Sequence, residues 1–213
     1  ALIYHLLQKV AVIPGLSEVI VVTNDKFFGM FQLWARQNKK FPVPIRVLND
    51  GTMSPEDRLG SVGDIQYVLD NAAIDDDLLV LGGDNLFDFS LDEYAAFARN
   101  NPLAVTIGLY DIGSLKDATR FGVVEMDAAG RITNFQEKPT KPKSTLIAMC
   151  LYYLPKGALG TVASYIRETG QTDKAGDYIQ WMVNKTAVFG FRFQGKWYDI
   201  GSVESLREAQ ENF

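Results

Sequence analysis

An aspartate follows two glycines directly after an apolar run, and this arrangement is suited to ligand chemistry. The run at 78–81 ends in Gly82-Gly83-Asp84-Asn85. Glycines after a strand let the backbone turn sharply or come close to a ligand. The run therefore delivers Asp84 to the carboxyl end of a strand, where open α/β sheets bind their ligands. A polar turn would have the same local sequence, so the function of Asp84 depends on what the rest of the chain places beside it.

A second aspartate with unusual neighbours lies near the end of the chain. It stands in Trp197-Tyr198-Asp199-Ile200-Gly201, before a predicted helix at 203–211. An aspartate between aromatic residues and a glycine, just before a helix start, is less often a plain turn. Asp199 is therefore the second candidate for chemistry.

The segment from 121 to 139 predicts a β-hairpin with polar residues at its open end. Its first strand begins Phe121-Gly122-Val123-Val124, and its second strand ends in Glu137-Lys138-Pro139. A Glu side chain accepts hydrogen bonds from hydroxyls, and a Lys side chain meets a phosphate as a point charge. The pair can therefore hold a phosphorylated, hydroxyl-rich ligand, although adjacent Glu and Lys residues in other proteins usually form only a solvated loop.

A glycine-bearing stretch, 58–63, opens a predicted helix at 60–71. The first backbone N–H groups of a helix have no partner within it, so this loop offers them to an anion or a nucleobase. Taken alone, such a glycine usually marks only a turn.

The order of elements determines the predicted fold class. Strands are predicted at 18–22, 45–48, 78–81 and 103–109, and helices between them at 26–38, 60–71 and 91–99, the last opened by a capping box at Ser90 and Glu93. Such alternation predicts an α/β fold with a mostly parallel, Rossmann-like sheet covered by helices on both faces. After residue 110 the hairpin and strands at 146–154 and 186–193 predict antiparallel additions, with helices at 156–168 and 176–184.

Composition excludes several classes of function. The net charge of -5 argues against nucleic acid as a partner, since phosphate backbones require a basic face. The one cysteine, Cys150, excludes a disulfide framework and a thiolate metal site. No apolar run reaches about 18 residues, so no membrane partner is expected and the cytoplasm is the predicted location.

Taken in order, these stretches resemble the sugar-1-phosphate nucleotidyltransferase family, which makes nucleoside-diphosphate sugars. The family pattern is a strand followed by GD, then FGVV, then EKP, and a closing W-x-D-I-G before a helix. The chain has GGDN, FGVVEMDAAGRITNFQEKP and WYDIGSVESLREA in that order, so the resemblance extends over 1–213. This family includes the NDP-sugar pyrophosphorylases and glucose-1-phosphate thymidylyltransferases.

The resemblance implies a reaction and a role for each candidate residue. A sugar-1-phosphate oxygen attacks the α-phosphorus of a nucleoside triphosphate, and pyrophosphate leaves. The implied Mg²⁺ ligands and catalytic carboxylates are Asp84 and Asp199. Gly83 and Asn85, on either side of Asp84, would bind substrate. Glu137 would bind sugar hydroxyls, and catalytic Lys138 the sugar phosphate.

The resemblance also implies two places where the backbone comes close to a substrate, and it does not decide which nucleobase is bound. Gly122 would let the hairpin approach the sugar, and Gly60 would let a backbone approach the base. Family members often carry a Gln before the glycine loop, whereas this chain has Asn49 and Asp50 there. These two residues are the candidates for reading a base edge.

The family's first strand and its Gly/Arg phosphate loop have no counterpart in the sequence, which starts within a helical pattern. The resemblance predicts about 25–30 further residues carrying both, with loop N–H groups that hold the triphosphate. One domain, 1–213, is expected, with a nucleotide-binding part at 1–110 and a sugar-phosphate-binding part at 111–213.

Two other classes of function stay open from the sequence. A non-catalytic sugar-nucleotide sensor would keep the sugar pocket without the phosphate loop. A metal-dependent glycosyltransferase would usually show D-x-D, whereas the chain has Gly83-Asp84-Asn85-Leu86. The expected partners are a nucleoside triphosphate and a sugar-1-phosphate, and a homo-oligomer is left open.

Overall fold

The computed structural model describes residues 2–212. Its helices are α1 Leu2–Val10, α2 Asp25–Gln37, α3 Ser61–Asn71, α4 Asp92–Arg99, α5 Leu115–Ala118, α6 Gly160–Thr169, α7 Ala175–Val183 and α8 Val203–Asn212. Its strands are β1 Val19–Thr23, β2 Ile45–Asn49, β3 Leu78–Leu81, β4 Asn85–Phe87, β5 Val105–Asp111, β6 Gly122–Met126, β7 Ile132–Glu137, β8 Leu146–Leu154, β9 Val188–Arg192 and β10 Trp197–Asp199. Most predicted helices and strands are confirmed, and β4, β10 and α5 are additions.

The main sheet is organised around β8. Its strand order is β7-β6-β8-β5-β9, and β3 also pairs with β8. One edge of β8 lies along β5, while the other edge is shared by β3 at 151–154 and β6 at 147–148. The sheet therefore contains strands from both sides of residue 110.

The prediction of a mostly parallel sheet is wrong, because β8 runs against all three of its neighbours. It pairs antiparallel with β3, β5 and β6, and the hairpin β6–β7 is antiparallel as well. Within the described residues, the parallel pairs are β5 with β9 and β1 with β2. A strand that is buried on both faces is apolar throughout whichever way it runs, so the sequence of β8 does not encode its direction.

Helices cover both faces of the sheet, as predicted. Alternate residues of a strand point to opposite faces, and β8 follows this rule. Tyr152 and Leu154 pack in a cluster with residues of α3, α6 and α7, whereas Met149 and Leu151 pack in a cluster with residues of α1 and α4. No described helix is long and apolar enough to cross a membrane.

Two apolar strands have an edge without a partner strand among residues 2–212. β1 pairs with β2 alone, and β3 pairs with β8 alone. Every residue of β1 and β3 is only half-buried, although both runs are apolar. Val19 of β1 and Leu79 and Leu81 of β3 pack against the same core cluster, so the two strands belong to one side of the molecule.

The predicted capping box at Ser90 and Glu93 is wrong. Helix α4 begins at Asp92, and Leu91 occupies the N-cap position without a side-chain capping bond. The hydroxyl of Ser90 instead bonds the side chain of Asp92, whose pKa it lowers. Leu91 is fully buried, so packing of the apolar residue fixes where this helix starts.

Candidate functional site

A pair of three-residue strands brings the two predicted aspartates together. β4 and β10 are antiparallel, with Asn85 opposite Asp199, and the backbone N–H of Ile200 donates to the carbonyl of Asp84 over 2.8 Å. Asp84 is exposed and Asp199 half-buried. Burial raises the pKa of the Asp199 carboxyl, and the charge of Asp84 raises it further. The two carboxylates therefore share one electrostatic environment, in the arrangement that the family resemblance implied.

The side chain of Asn85 stabilises this arrangement by hydrogen bonds. The residue is buried, and its amide Nδ2 donates to Asp84 Oδ1 over 3.1 Å and to the carbonyl of Gly82 over 3.2 Å. Its Oδ1 accepts from the indole Nε1 of Trp197 over 2.7 Å. Because both ends of its side chain bind within the chain, Asn85 orients Asp84 and links β4 to β10.

The two glycines before Asp84 differ in their surroundings. A Cβ on Gly82 would lie 2.8 Å from Asp84 Oδ1 and 2.9 Å from the Cβ of Cys150, so this position needs glycine. A Cβ on Gly83 would meet no described atom within 4 Å. A side chain would therefore fit at Gly83 without displacing its surroundings.

The open end of the β6–β7 hairpin reaches the same edge of β8 as Gly82. The backbone N–H of Gly82 donates to the carbonyl of Cys150 over 2.8 Å, and Gly122 pairs with Ala148, two residues away on β8. Gly122 also lies opposite Glu137 on β7. This edge thus places the Glu137-Lys138 pair beside the aspartates, and the charge of Lys138 lowers the pKa of Asp199.

The carboxylate of Glu137 is wedged between two glycines. A Cβ on Gly122 would lie 3.2 Å from Glu137 Oε2, and a Cβ on Gly176 would overlap Oε2 and lie 2.5 Å from the carboxyl carbon. Burial raises the pKa of Glu137, while the nearby cations of Lys138 and Lys174 oppose that shift. Sequence reasoning missed Gly176. Only glycine fits at this position, and this requirement arises only when α7 packs against β7.

Lys138 adopts a left-handed backbone conformation, with φ of +44°. Its backbone N–H donates to the carbonyl of Phe121 over 3.0 Å, which ties the turn to the start of β6. Left-handed φ values in a residue other than glycine cost free energy and concentrate at functional sites. The side chain is exposed, so its charge is free to meet a ligand.

The predicted free N–H groups at the start of α3 are occupied, which corrects the expectation for that loop. The N–H of Ser61 donates to the carbonyl of Asp173, and the N–H groups of Val62 and Gly63 donate to the carbonyl of Thr172. Gly60 has φ of +82°, and a Cβ there would lie 2.6 Å from the Thr172 carbonyl oxygen. The close approach that requires Gly60 is thus to this segment, which leads directly into α7 and Gly176.

Asn49 and Asp50 shape the loop after β2. Asn49 donates from Nδ2 to Asp25 Oδ1 over 2.7 Å and accepts from the N–H of Gly51, while Asp50 Oδ1 accepts from the N–H and hydroxyl of Thr52. Asp64, which sequence reasoning missed, faces this loop from α3. Burial and the charge of Asp50 raise the pKa of Asp64 to about 6.

A cavity of about 560 Å³ lies elsewhere, between the C-terminal end of α2 and β2. Its lining includes Arg36, Lys39, Phe41 and Val47, and none of the candidate residues contributes to it. The candidate site therefore lies outside this cavity.

Comparisons with known proteins agree with this architecture. The family model described as nucleotidyl transferase matches residues 1–213. A provisionally assigned glucose-1-phosphate thymidylyltransferase from Bacillus anthracis, solved with sucrose, superposes with a TM-score of 0.82 at 21% identity, over 99% of this chain and 81% of that one. A UDP-glucose pyrophosphorylase solved with UDP-glucose gives 0.77 at 19% identity, over 99% of this chain and 85% of that one.

At these identities the two structures are similar to this chain in fold. The match of the family model over the whole sequence carries the assignment, and it agrees with the resemblance seen in GGDN, EKP and WYDIG. The chain belongs to the nucleotidyl transferase family.

Proposed function

We propose that this protein transfers a nucleotidyl group from a nucleoside triphosphate to a sugar-1-phosphate, giving an NDP-sugar and pyrophosphate. The observation that carries the proposal is the β4–β10 pairing, which joins Asp84 and Asp199 beside the Glu137-Lys138 turn. A sugar-1-phosphate oxygen attacks the α-phosphorus, and the bond to the pyrophosphate breaks. One anhydride replaces another, so the reaction is expected to be close to reversible.

The two aspartates fit a magnesium ion. Mg²⁺ is usually held by one or two carboxylates together with substrate phosphates, rather than by an all-protein cage. In the described residues, no group of three or more His, Cys, Asp and Glu side chains could hold a metal ion, so the carboxylate pair suits Mg²⁺ better than a structural metal. When bound, the ion would neutralise phosphate charge.

The chain's own residues would position the sugar phosphate. The Glu137 carboxylate, fixed between Gly122 and Gly176, would accept hydrogen bonds from sugar hydroxyls. Lys138 would meet the phosphate as a point charge. Phosphoryl transfer requires little covalent work by the protein, so such positioning and charge neutralisation are the expected source of catalysis.

On the nucleotide side, Asn49 and Asp50 remain the proposed readers of a base edge, and Gly83 and Asn85 remain proposed substrate contacts beside the aspartates. The nucleotide would lie on the 1–110 part and the sugar phosphate on the 111–213 part. A cytoplasmic location and a homo-oligomer stay predictions.

The test is a pyrophosphate-release assay on the full natural polypeptide, with a panel of nucleoside triphosphates and sugar-1-phosphates and with Mg²⁺ present or chelated. We expect Mg²⁺-dependent release for at least one pair. Transfer of sugar from an NDP-sugar without pyrophosphate would favour a glycosyltransferase. Binding of NDP-sugars without any turnover by the folded protein would favour a sensor, and either result would overturn the proposal.

Substitutions at Lys138 separate charge from backbone strain. Lys138→Met and Lys138→Gly should both raise KM for the sugar-1-phosphate about tenfold or more, since each removes a charged hydrogen bond. Glycine adopts a left-handed φ without strain, so the free energy of unfolding of Lys138→Gly should exceed that of Lys138→Met by about 1 kcal/mol. This difference corresponds to an unfolding temperature about 2–4 °C higher. Thermal unfolding and steady-state kinetics measure the two effects.

Two results would contradict this prediction. If KM for the nucleoside triphosphate rose instead, Lys138 would belong to the triphosphate site. If Lys138→Gly proved less stable than Lys138→Met, the left-handed conformation would not be a source of strain.

A further inference from the structure

Arg120 lies at the edge of the candidate site, although no sequence motif drew attention to it. It lies two residues before β6, and its guanidinium lies over the ring of Phe121, 5.6 Å from the ring centroid. The Phe121 ring packs edge-on against Trp197, with centroids 5.4 Å apart. Trp197 in turn bonds Asn85, which orients Asp84. Arg120 is therefore linked to Asp84 through a chain of side-chain contacts.

Arg120 and Lys138 lie at the same end of the hairpin. The backbone bond from the N–H of Lys138 to the carbonyl of Phe121 places Lys138 next to the residue that follows Arg120. Arg120 reaches the neighbourhood of the aspartates through Phe121 and Trp197. Two positive side chains from one end of the hairpin thus lie at the candidate site.

The guanidinium has no anionic partner within the described part of the chain. The ion pairs of residues 2–212 join other cations to carboxylates, and the guanidinium of Arg120 lies over the ring of Phe121. Arg120 is exposed, and its five N–H donors in a planar fork match the geometry of a phosphate. An arginine held on an aromatic ring is pre-oriented for such a contact.

The charges at the site explain why a second cation is needed. A phosphate monoester carries about two negative charges at neutral pH. Lys138 supplies one positive charge, so it leaves part of the phosphate charge for a second cation. Arg120 together with Lys138 supplies both positive charges.

We propose that Arg120 binds the phosphate of the sugar-1-phosphate together with Lys138. This inference rests on the proposed function. The lysine supplies a point charge, and the arginine fork fixes the orientation of the phosphate oxygens.

The experiment measures binding of glucose 1-phosphate and of glucose to the full natural polypeptide by calorimetry, together with KM for both substrates. Arg120→Gln should weaken glucose 1-phosphate binding about tenfold or more, the equivalent of about 1.4 kcal/mol. Arg120→Lys should recover part of the loss, since it restores charge without the fork. KM for the nucleoside triphosphate should stay within about twofold of the unmodified enzyme. Arg131→Gln, an exposed arginine at the other end of the hairpin, is the matched control.

The outcomes separate this inference from the proposed function. Unchanged glucose 1-phosphate binding in Arg120→Gln would overturn the role of Arg120 while leaving the reaction intact. A rise in KM for the nucleoside triphosphate alone would also overturn it, by assigning Arg120 to the triphosphate. An unmodified protein that binds glucose 1-phosphate no better than glucose and releases no pyrophosphate with any pair would instead remove the proposed function.

Discussion

Replacing Asp84 or Asp199 by Asn is expected to lower turnover by about two orders of magnitude or more, the scale of losing an electrostatic contact in the transition state. Asparagine keeps the shape of the side chain and removes the charge. The backbone bond from Ile200 to Asp84 and the β4–β10 pairing do not depend on that charge, so both strands should persist. Steady-state pyrophosphate release at several Mg²⁺ concentrations measures the effect.

The same variants should fold at least as well as the unmodified protein. Asp84 raises the pKa of Asp199, which shows that the two carboxylates repel each other. Removing one charge relieves this repulsion, so thermal unfolding should occur at the same temperature or a higher one. Asp70→Asn, on the exposed face of α3, is the matched control and should keep full activity. Wild-type rates and unchanged Mg²⁺ dependence in both variants would exclude these residues from the reaction.

Replacing Gly176 by Ala is expected to weaken sugar binding indirectly, by displacing the carboxylate of Glu137. The new Cβ would overlap Glu137 Oε2, so the carboxylate must leave the place it holds between Gly122 and α7. KM for the sugar-1-phosphate should rise about tenfold or more, the scale of losing a hydrogen bond to a charged group. KM for the nucleoside triphosphate should change little, because the clash is with Glu137 alone.

A double-mutant cycle distinguishes this effect from general damage to the fold. In a Glu137→Ala background, Gly176→Ala should add less than about a twofold change in KM, since the side chain that it displaces is gone. Gly157→Ala is the control, because a Cβ there meets no described atom within 4 Å. Independent, multiplying effects of the two substitutions would show that Gly176 acts through something other than Glu137.

Much of the secondary structure could be predicted from the chain itself. The apolar run at 78–81 ends where β3 ends, at Leu81, and the Phe121 to Glu137 segment forms the predicted hairpin. These predictions succeeded because apolar runs and turn glycines act locally. The three-residue strands β4 and β10 were missed, since so short a strand shows no periodicity and forms only by pairing with its partner.

Sequence order alone grouped Asp84, Asp199, Glu137 and Lys138, because their motifs resemble one family in one order. The role of the start of α3 could not be decided that way. Its N–H groups look free in the sequence, and only the arrival of the Thr172 and Asp173 carbonyls shows that they are bonded.

What the sequence determined by itself was the set of elements, the glycine and aspartate at each turn, and the family to which they point. The tertiary structure alone decided the direction of β8, the position of Glu137 between Gly122 and Gly176, and the contact of Phe121 with Trp197, which brings Arg120 to the candidate site. The physical reason is the range of each effect. Propensity and apolar patterning act over a few neighbouring residues, whereas strand direction, steric exclusion and charge proximity depend on residues that are distant in the chain and meet only in the folded protein.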